Sequence, residues 1–229
     1  MHQELLKLIS QKVSRAFNLG MDHLIAPPFC AHCKDFLSTR MIFCIECYEK
    51  IDPIVSVQIP ITKTKSMTVI AVSDYQEPLK SLILAKSWGD IVASNQLGQL
   101  IWQMTYFKQM PCDFLIPIPL HWMRYAKRGY NQAEEIARVL AAYKNVPVTT
   151  ILKRVKHTPF QSSLAHDKRM GNVKEAFALK NSDLTIYQNK HLVLVDDLMT
   201  TGSTLVSAAK VLLPLHPQSI TAVVVARVC

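Results

Sequence analysis

The sequence has no apolar run of roughly 18 residues, the length that a membrane-spanning helix requires. Its amino-terminal segment lacks the uninterrupted apolar stretch and the small-residue cleavage site of a secretory signal. Internal repeats and low-complexity tracts are also missing. These absences argue against a membrane-spanning or repetitive architecture, and we expect a cytoplasmic protein without stable membrane insertion.

Acidic residues are scarce relative to basic ones, 17 against 26, which gives a formal net charge of +9. Hydrophobic residues make up 49% of the chain and charged residues 19%, values that are typical of a folded protein. A length of 229 residues allows one sizeable core and a small additional module. The positive charge suits polyanionic partners or phosphorylated ligands, but it is equally compatible with simple solubility.

Two common nucleotide-binding signatures are missing, because the chain has neither a GxGxxG fingerprint nor the GKS/T lysine of a P-loop. What it has is HLVLVDDLMTTGST, residues 191–204. The apolar run at its start predicts a buried strand of a parallel sheet, and the apolar periodicity that follows predicts a helix over about 203–213. The polar loop between them therefore lies at the carboxyl end of a strand, where open α/β sheets bind ligands.

The chemistry of this loop favours a phosphate group. A helix start offers unpaired backbone N–H groups and the positive end of the helix dipole. Gly202 permits a close backbone approach, and the neighbouring Thr and Ser hydroxyls add donors. Asp196 and Asp197 would repel a phosphate, so they suit sugar hydroxyl groups or water-bound Mg²⁺ beyond it. A buried strand followed by a capped helix is the simpler alternative.

Four cysteines form two CxxC pairs, Cys30 with Cys33 and Cys44 with Cys47. Four thiolates in this pattern favour one tetrahedral metal ion, usually Zn²⁺, in a closed structural site without a catalytic position. Disulfides are the alternative, but they are rare in the expected cytoplasmic location. Cys112 and Cys229 have no partner in the pattern and are interpreted as structural.

A second strand–loop–helix unit precedes the phosphate loop, with a strand predicted over 113–118 and a helix over 132–143. Its loop mixes cations with aromatic residues. Arginines there suit a second anion such as pyrophosphate. The same mixture suits single-stranded nucleic acid through backbone neutralisation and base stacking, and a solvated basic turn is a third option. The candidate nucleic-acid-binding residues are Trp122, Arg124, Tyr125, Lys127, Arg128 and Tyr130.

The remaining patterns predict the domain organisation. Residues 4–17 form an amphipathic pattern, which favours a helix that docks on its own protein over one that binds a membrane or a partner. Residues 52–66 are interpreted as a linker or exposed edge. Further strands are expected over 67–73, 148–155, 174–179 and 219–228, with helices over 78–88 and 91–107. We expect an amino-terminal helix in 1–22, a zinc ribbon and linker in 23–65, and the main domain in 66–229.

Residues 191–204 resemble the binding motif of type I phosphoribosyltransferases. The IPIPL strand end, the RGYNQA helix entry, Gln161, Arg169, Asn172 and the four-cysteine module complete a resemblance to the ComF family that covers about residues 30–227. This resemblance implies an α/β, type I phosphoribosyltransferase fold, a mainly parallel sheet with helices on both faces, preceded by a small zinc ribbon. Structural Zn²⁺, and Mg²⁺ accompanying phosphoribosyl pyrophosphate (PRPP), are the implied cofactors.

The resemblance also implies the roles of individual residues. Residues 200–204 hold the 5′-phosphate of PRPP, and Asp196 and Asp197 hold the ribose hydroxyls. Arg169 is expected to lie in a loop over 158–172 that closes on the pyrophosphate, with Gln161 and Asn172 orienting it. The alternative is that Arg169 sits on a short surface helix and binds nothing. The expected PRPP-binding residues are Asp196, Asp197, Met199, Thr200, Thr201, Gly202, Ser203, Thr204, Arg124, Lys127, Arg128 and Arg169. The expected catalytic residues are Asp196, Asp197 and Arg128, the last stabilising the leaving pyrophosphate together with Arg124.

The implied function is that of a PRPP-binding protein in natural transformation, DNA uptake and the handling of incoming single-stranded DNA. Single-stranded DNA and DNA-uptake or recombination proteins are the expected partners, and another phosphorylated sugar could replace PRPP. The alternative is an active phosphoribosyltransferase in nucleotide salvage or metabolism. The sequence shows no general base and no base-binding hood, so whether the protein is an enzyme stays open.

Overall fold

The computed structural model describes residues 29–39, 41–53, 56–85, 91–120, 125–126, 129–155, 176–180 and 183–228. The chain divides into two units between Lys50 and Ile51. The first unit carries the four cysteines, and the second carries the sheet and its helices.

Short turns at the cysteine pairs shape the first unit. After Cys30 the chain turns back, so that the Lys34 N–H donates to the Cys30 carbonyl oxygen at 3.2 Å. A short helix, α1 (Ile45–Tyr48), begins directly after Cys44. Phe43 is the one large side chain in this unit's described part that is fully buried. Among residues 29–50 the described apolar core is therefore small, as is usual in modules stapled by a metal.

The second unit is built on a central sheet. Its strands are β1 (Val57–Pro60), β2 (Ser66–Asp74), β3 (Phe114–Pro117), β6 (His191–Val195), β7 (Leu198–Met199) and β8 (Ser219–Arg227), while β4 (Leu152–Arg154) and β5 (Phe177–Leu179) form a separate antiparallel pair. The spatial order is β1-β2-β8-β6-β3, with β7 beside β8. All pairs in this sheet are parallel except β1 with β2. The predicted, mainly parallel sheet is therefore confirmed.

The α-helices of this unit, among the described residues, are α2 (Leu79–Ala85), α3 (Ile91–Met104), α4 (Gln132–Lys144) and α5 (Ser203–Leu212). Helix α3 contacts β2 and β8, and α4 contacts β3 and β6. Helix α5 buries its apolar face in the core on the other side of the sheet. Gly98 lets α3 approach α4 closely, because a Cβ at this position would lie 2.8 Å from the Val139 Cβ. Helices on both faces are as the sequence predicts.

Two predicted elements differ in extent. The strand expected over 148–155 is divided: Val148 forms a parallel bridge with Leu115 at the sheet edge, and β4 then leaves to pair with β5. The helix expected to reach residue 107 ends at Met104, where the Thr105 hydroxyl donates to the Ile101 carbonyl oxygen at 2.6 Å and a 3₁₀ turn follows.

Strand β1 lies in the segment interpreted as a linker or exposed edge. It is the edge strand of the sheet, and its Ile59 packs against the core. The sheet therefore begins before the domain start expected at residue 66, and the division between the two units falls at residue 50.

Three expectations concern residues outside the described part: the helix over 4–17, the end of the helix over 86–88, and the loop over 158–172. In the described ranges, no helix combines the length and apolar character needed to cross a bilayer.

Candidate functional site

The two acids of the phosphate motif lie where the β6 ladder is interrupted. Val195 pairs with Val223 and Leu198 with Ala226, so β6 and β7 run beside β8 in one register with only Asp196 and Asp197 between them. The Asp196 N–H donates to the Val223 carbonyl oxygen at 3.1 Å, and the Asp197 carbonyl oxygen accepts from the Val225 N–H at 3.2 Å. The backbone of both acids is thus held by β8 at the carboxyl edge of the sheet.

The acid pair is also organised internally. The Asp197 N–H donates to Asp196 Oδ1 at 2.9 Å, which orients the Asp196 carboxylate. Both side chains are half-buried. Two carboxylates in this position offer acceptors for sugar hydroxyls and ligands for a hard cation.

The loop after β7 places small polar groups at the start of α5. Gly202 is the N-cap residue of this helix, and its carbonyl oxygen accepts from the Val206 N–H at 2.9 Å. The Thr201 hydroxyl donates to Ser203 Oγ at 3.0 Å and lies 3.4 Å from the Ser203 backbone nitrogen. This is the strand–loop–helix arrangement predicted for an anion site, with the helix dipole directed at the loop.

Glycine suits position 202 chiefly because of its backbone conformation. Its φ of +72° lies in the left-handed region that residues with a Cβ rarely adopt. A Cβ here would also lie 2.8 Å from Ile59 Cδ1 on β1. Met199, predicted to bind the ligand, is buried in the core beneath the loop. Its side chain therefore supports the loop from inside.

Tyr75 is a neighbour of the site that the sequence analysis missed. It follows β2, and its N–H donates to the Arg227 carbonyl oxygen at 2.7 Å. Burial raises the pKa of the Tyr75 hydroxyl, and the negative charges of Glu77 and Asp197 raise it further. The phenol is thus within electrostatic reach of the acid pair across one strand. In the sequence, the position of Tyr75 directly after an apolar strand is the feature that could have pointed to it.

Asp74 and Arg227 form a second missed feature of this edge. They are register partners at the ends of β2 and β8, and Arg227 Nε donates to Asp74 Oδ1 at 2.7 Å. Both side chains are partly exposed, so the pair is worth little for stability. The Asp74–Arg227 pair connects the last residues of β2 and β8, next to Tyr75.

The start of α4 lies at the same edge. The Ile118 N–H donates to the Val195 carbonyl oxygen at 2.9 Å, and Asn131 Nδ2 donates to the Ile118 carbonyl oxygen at 3.1 Å. These bonds bring the helix start beside the end of β6. Gln132 in the first turn is only 1% exposed, and its Nε2 has no hydrogen-bond partner among the described residues. An orphaned buried donor of this kind is unusual and points to a missing acceptor.

The structure tests only part of the basic loop. Tyr125 is 52% exposed, as a stacking residue must be. Tyr130 is only 8% exposed, with its hydroxyl 3.5 Å from Ser94 Oγ, because its ring fills the space beside α3. It cannot stack on a base, which corrects the prediction for this residue. The other predicted ligand-binding residues of the two loops lie outside the described residues: Trp122, Arg124, Lys127, Arg128, Gln161, Arg169 and Asn172.

The four predicted metal ligands come together in the first unit. The Sγ atoms of Cys30, Cys33, Cys44 and Cys47 all lie within 4.8 Å of one another. Cys33 Sγ and Cys44 Sγ are 3.6 Å apart, far beyond a disulfide bond. Tetrahedral zinc with Zn–S distances of about 2.3 Å would hold sulfurs about 3.8 Å apart. The cluster can therefore bind one metal ion.

Backbone amides prepare one of these thiols for metal binding. Burial alone would raise the pKa of Cys30, but hydrogen bonds from the backbone of Cys44, His32 and Cys33 lower it to about 6. By contrast, burial raises the pKa of the Cys112 thiol to about 12. Burial also raises the pKa of the Cys47 thiol in the cluster, so the feature that distinguishes the cluster from Cys112 is the convergence of its four sulfur atoms.

Comparison with known proteins agrees with this geometry. The family model described as the phosphoribosyl transferase domain matches residues 125–228. Competence protein F of Haemophilus influenzae is 30% identical over 201 residues, which cover 84% of this chain and 82% of that protein. The chain belongs to the ComF family. DNA utilization protein YhgH of Escherichia coli K12 is 31% identical over 153 residues, covering 63% of this chain and 65% of that protein.

Solved structures give a weaker likeness. A purine phosphoribosyltransferase from Pyrococcus horikoshii is 18% identical, covers 63% of this chain and 73% of its own, and has a TM-score of 0.32. An adenine phosphoribosyltransferase from Thermoanaerobacter pseudethanolicus is 12% identical, covers 80% of this chain and 98% of its own, and has a TM-score of 0.35. The family model and the layered parallel sheet, with the motif at its carboxyl edge, show the type I phosphoribosyltransferase fold.

Replacement of Gly202 tests how the loop is held. Gly202→Ala forces a Cβ into the left-handed region, which costs about 1–2 kcal/mol, and also against Ile59. We expect a loss of unfolding free energy of about 1–2 kcal/mol in chemical denaturation from the backbone strain, and a smaller further loss because the terminal methyl of Ile59 must shift.

Gly129→Ala is the matched control, because Gly129 has a φ of +79° and no atom of the described residues lies within 4 Å of its would-be Cβ. The Gly129→Ala variant should lose only the part of the unfolding free energy that comes from backbone strain. Adding Ile59→Val to Gly202→Ala removes Cδ1 and should recover part of the loss. Equal losses at the two glycines, with no recovery, would show that the contact with Ile59 is unimportant.

Proposed function

We propose that this ComF family protein binds PRPP with Mg²⁺ at the carboxyl edge of its sheet and serves the handling of single-stranded DNA in natural transformation. The observation that carries the proposal is the conjunction at one edge of a held acid pair and a glycine-capped hydroxyl loop. Each half suits a different part of a sugar phosphate.

The 5′-phosphate fits the start of α5. Backbone N–H groups of the first turn and the hydroxyls of Thr201, Ser203 and Thr204 supply donors, and the left-handed Gly202 lets the chain approach the phosphate. Thr200 and Thr201 are exposed, so a ligand can reach them. The lack of a lysine in this loop limits it to a single phosphate group.

The ribose fits the acid pair. Asp196 and Asp197 would accept hydrogen bonds from the 2′- and 3′-hydroxyls, and charge-assisted bonds of this kind contribute about 1.5–3 kcal/mol each. Carboxylate oxygens are also the donors that Mg²⁺ prefers, directly or through water. When bound, Mg²⁺ would neutralise the pyrophosphate of PRPP.

The pyrophosphate fits the start of α4, one strand away from the acid pair. Gln132 Nε2 is a buried donor that lacks an acceptor among the described residues, and the helix dipole favours an anion there. Arg124, Lys127 and Arg128, together with Arg169, are proposed to supply the cations. In this assignment Arg128 and Arg124 stabilise the pyrophosphate as it leaves, if a reaction occurs.

The DNA role is supported by relatives and by charge. One relative is named a competence protein and another a DNA utilization protein. The formal charge of +9 favours a polyanionic partner in the cytoplasm, and Tyr125 is an exposed aromatic residue beside the cationic loop. DNA-uptake or recombination proteins are proposed as further partners.

The metal of the four-cysteine cluster is proposed to be structural zinc. Four sulfur ligands without an open position are typical of Zn²⁺ sites that stabilise a small module. The metal would supply the stability that the small apolar core of this unit lacks.

Neutralising the acid pair tests the PRPP site. In Asp196→Asn with Asp197→Asn, the side-chain amide oxygen introduced at position 196 can still accept the backbone N–H of position 197, so the fold should persist. Two charge-assisted bonds are lost, and we expect PRPP affinity in the presence of Mg²⁺ to fall at least about 100-fold by calorimetric titration.

Asp183→Asn is the matched control, because Asp183 is exposed and only caps the turn at Thr185. It should leave PRPP affinity unchanged. Unchanged PRPP affinity in the double variant would contradict the site assignment. Release of pyrophosphate by the wild-type protein alone, or with an added acceptor, would identify a reaction.

Metal removal tests the cysteine cluster. Elemental analysis should find about one zinc ion per chain, since four thiolates bind one ion. Cys47→Ser should lose that zinc and loosen residues 29–50, as hydrogen exchange would show, while the sheet stays protected, because the cysteines lie in a separate unit.

Cys112→Ser is the control for the zinc experiment, since Cys112 lies outside the cluster. It should keep the full zinc content. Loss of protection throughout β2, β6 and β8 in Cys47→Ser would instead show that the two units fold as one.

A further inference from the structure

A cleft at the amino edge of the sheet belongs to none of the sites described above. It measures about 450 Å³ and lies between the β1–β2 hairpin and the chain that enters β8. Sites for small ligands span about 300–1,000 Å³. The cleft is therefore large enough to hold a nucleotide-sized group.

The lining of this cleft is suited to an anion. The described residues that line it include a lysine, hydroxyl groups and two amides, but no aspartate or glutamate. Among them Lys65, Ser66 and Thr68 come from the hairpin, and Ser219 and Thr221 come from β8. Apolar groups such as Ile61 and Pro217 complete the walls and offer contact for a sugar or base.

Several of these polar groups are held in place. The backbone of Lys65 forms two hydrogen bonds: its carbonyl oxygen accepts from the Ile61 N–H at 2.8 Å, and the Lys65 N–H donates to Thr62 Oγ1 at 3.0 Å. Gln58 Nε2 donates to Thr68 Oγ1 at 2.7 Å, which leaves the Thr68 hydroxyl proton for another acceptor. Ser219 Oγ lies 2.8 Å from His191 Nδ1. The lining is thus partly preorganised, which reduces the entropic cost of binding.

The amino edge is far from the acid pair. Ser66 and Asp74 begin and end β2, and a strand rises ~3.3 Å per residue, so the two edges lie roughly 25 Å apart. Asp74, Asp196 and Asp197 all lie at the carboxyl edge, where they oppose a polyanion. A nucleic-acid backbone meets no carboxylate in the lining of the amino-edge cleft.

We propose that this cleft binds a phosphorylated nucleoside unit, with Lys65 facing the phosphate and the hydroxyls of Thr68 and Ser219 as further donors. The unit can come from a free nucleotide or from a single strand of DNA. The second source rests on the proposed DNA function and places DNA and PRPP on opposite edges of one sheet.

The test measures binding of the full chain to fluorescent oligo(dT) by anisotropy, and to deoxythymidine monophosphate by calorimetry. Lys65→Glu should weaken oligo(dT) binding about 10-fold and reduce the slope of affinity against salt by about one, because one phosphate contact is lost. Saturating PRPP with Mg²⁺ should not displace the oligonucleotide, since the two sites are separate.

Lys63→Glu is the matched control, because Lys63 is exposed on the same turn but does not line the cleft. It should change affinity less than about 2-fold. Thr68→Val, which removes a hydroxyl without changing charge, should weaken binding a few-fold.

The outcomes separate the possibilities. If Lys65→Glu weakens oligo(dT) and the mononucleotide alike, the cleft binds free nucleotides; if only oligo(dT) is affected, it binds a strand. Equal effects of Lys63→Glu and Lys65→Glu, or displacement of oligo(dT) by PRPP, would overturn the proposal and leave the DNA function intact. If wild-type protein binds PRPP but neither DNA nor mononucleotide, both the cleft assignment and the DNA function fail.

Discussion

The candidate site depends on the hydrogen bonds that β8 forms with the neighbouring strands on both of its sides. On one side β8 pairs with β2, and on the other it pairs first with β6 and then with β7. Such a strand must be apolar on both faces, and residues 222–226 are fully buried. Because β6 and β7 keep one register along β8, the two acids between them are held at a defined height on the sheet edge.

This ladder also explains why the site combines groups from distant parts of the chain. Arg227 ends β8 and meets Asp74 at the end of β2, although 153 positions separate them in sequence. Tyr75 then follows β2 toward the acid pair. On the other side, Ile118 bonds to Val195 and brings the start of α4 to the same edge. A parallel sheet thus gathers the loops after its strands into one cluster.

The two units stabilise themselves by different means. The large unit buries apolar strands between helices, with Gly98 permitting close helix contact. In the described part of the small unit Phe43 is the large side chain that is fully buried, and the four sulfurs converge where a metal ion would join the two turns. Metal binding would then contribute folding free energy to the small unit without altering the sheet. The lining of the amino-edge cleft of the large unit has no carboxylate, whereas the carboxyl edge carries the acid pair.

Local patterns in the sequence determined the parts of this protein whose geometry depends on neighbours along the chain. An apolar run predicts a buried strand, two CxxC pairs predict a four-sulfur cluster, and Gly202 among hydroxyl residues predicts a helix start that suits phosphate. Each of these three predictions rests on hydrophobic periodicity, residue spacing or backbone freedom over a few neighbouring residues. For residues 52–66 the sequence left a linker and an exposed edge open, because an edge strand with prolines nearby resembles a linker, and the structure places the edge strand β1 there.

Tertiary structure alone decided which distant residues meet. The contact of Ile59 with Gly202, the bond from Asn131 to Ile118, the burial of Tyr130 and the amino-edge cleft all follow from strand order and helix packing. Strand order depends on the free energy of the whole packed sheet, in which many pairings of apolar strands compete, and no local pattern encodes the result. For the same reason the sequence could name the two acids, but not the tyrosine that follows β2 at the same edge of the sheet.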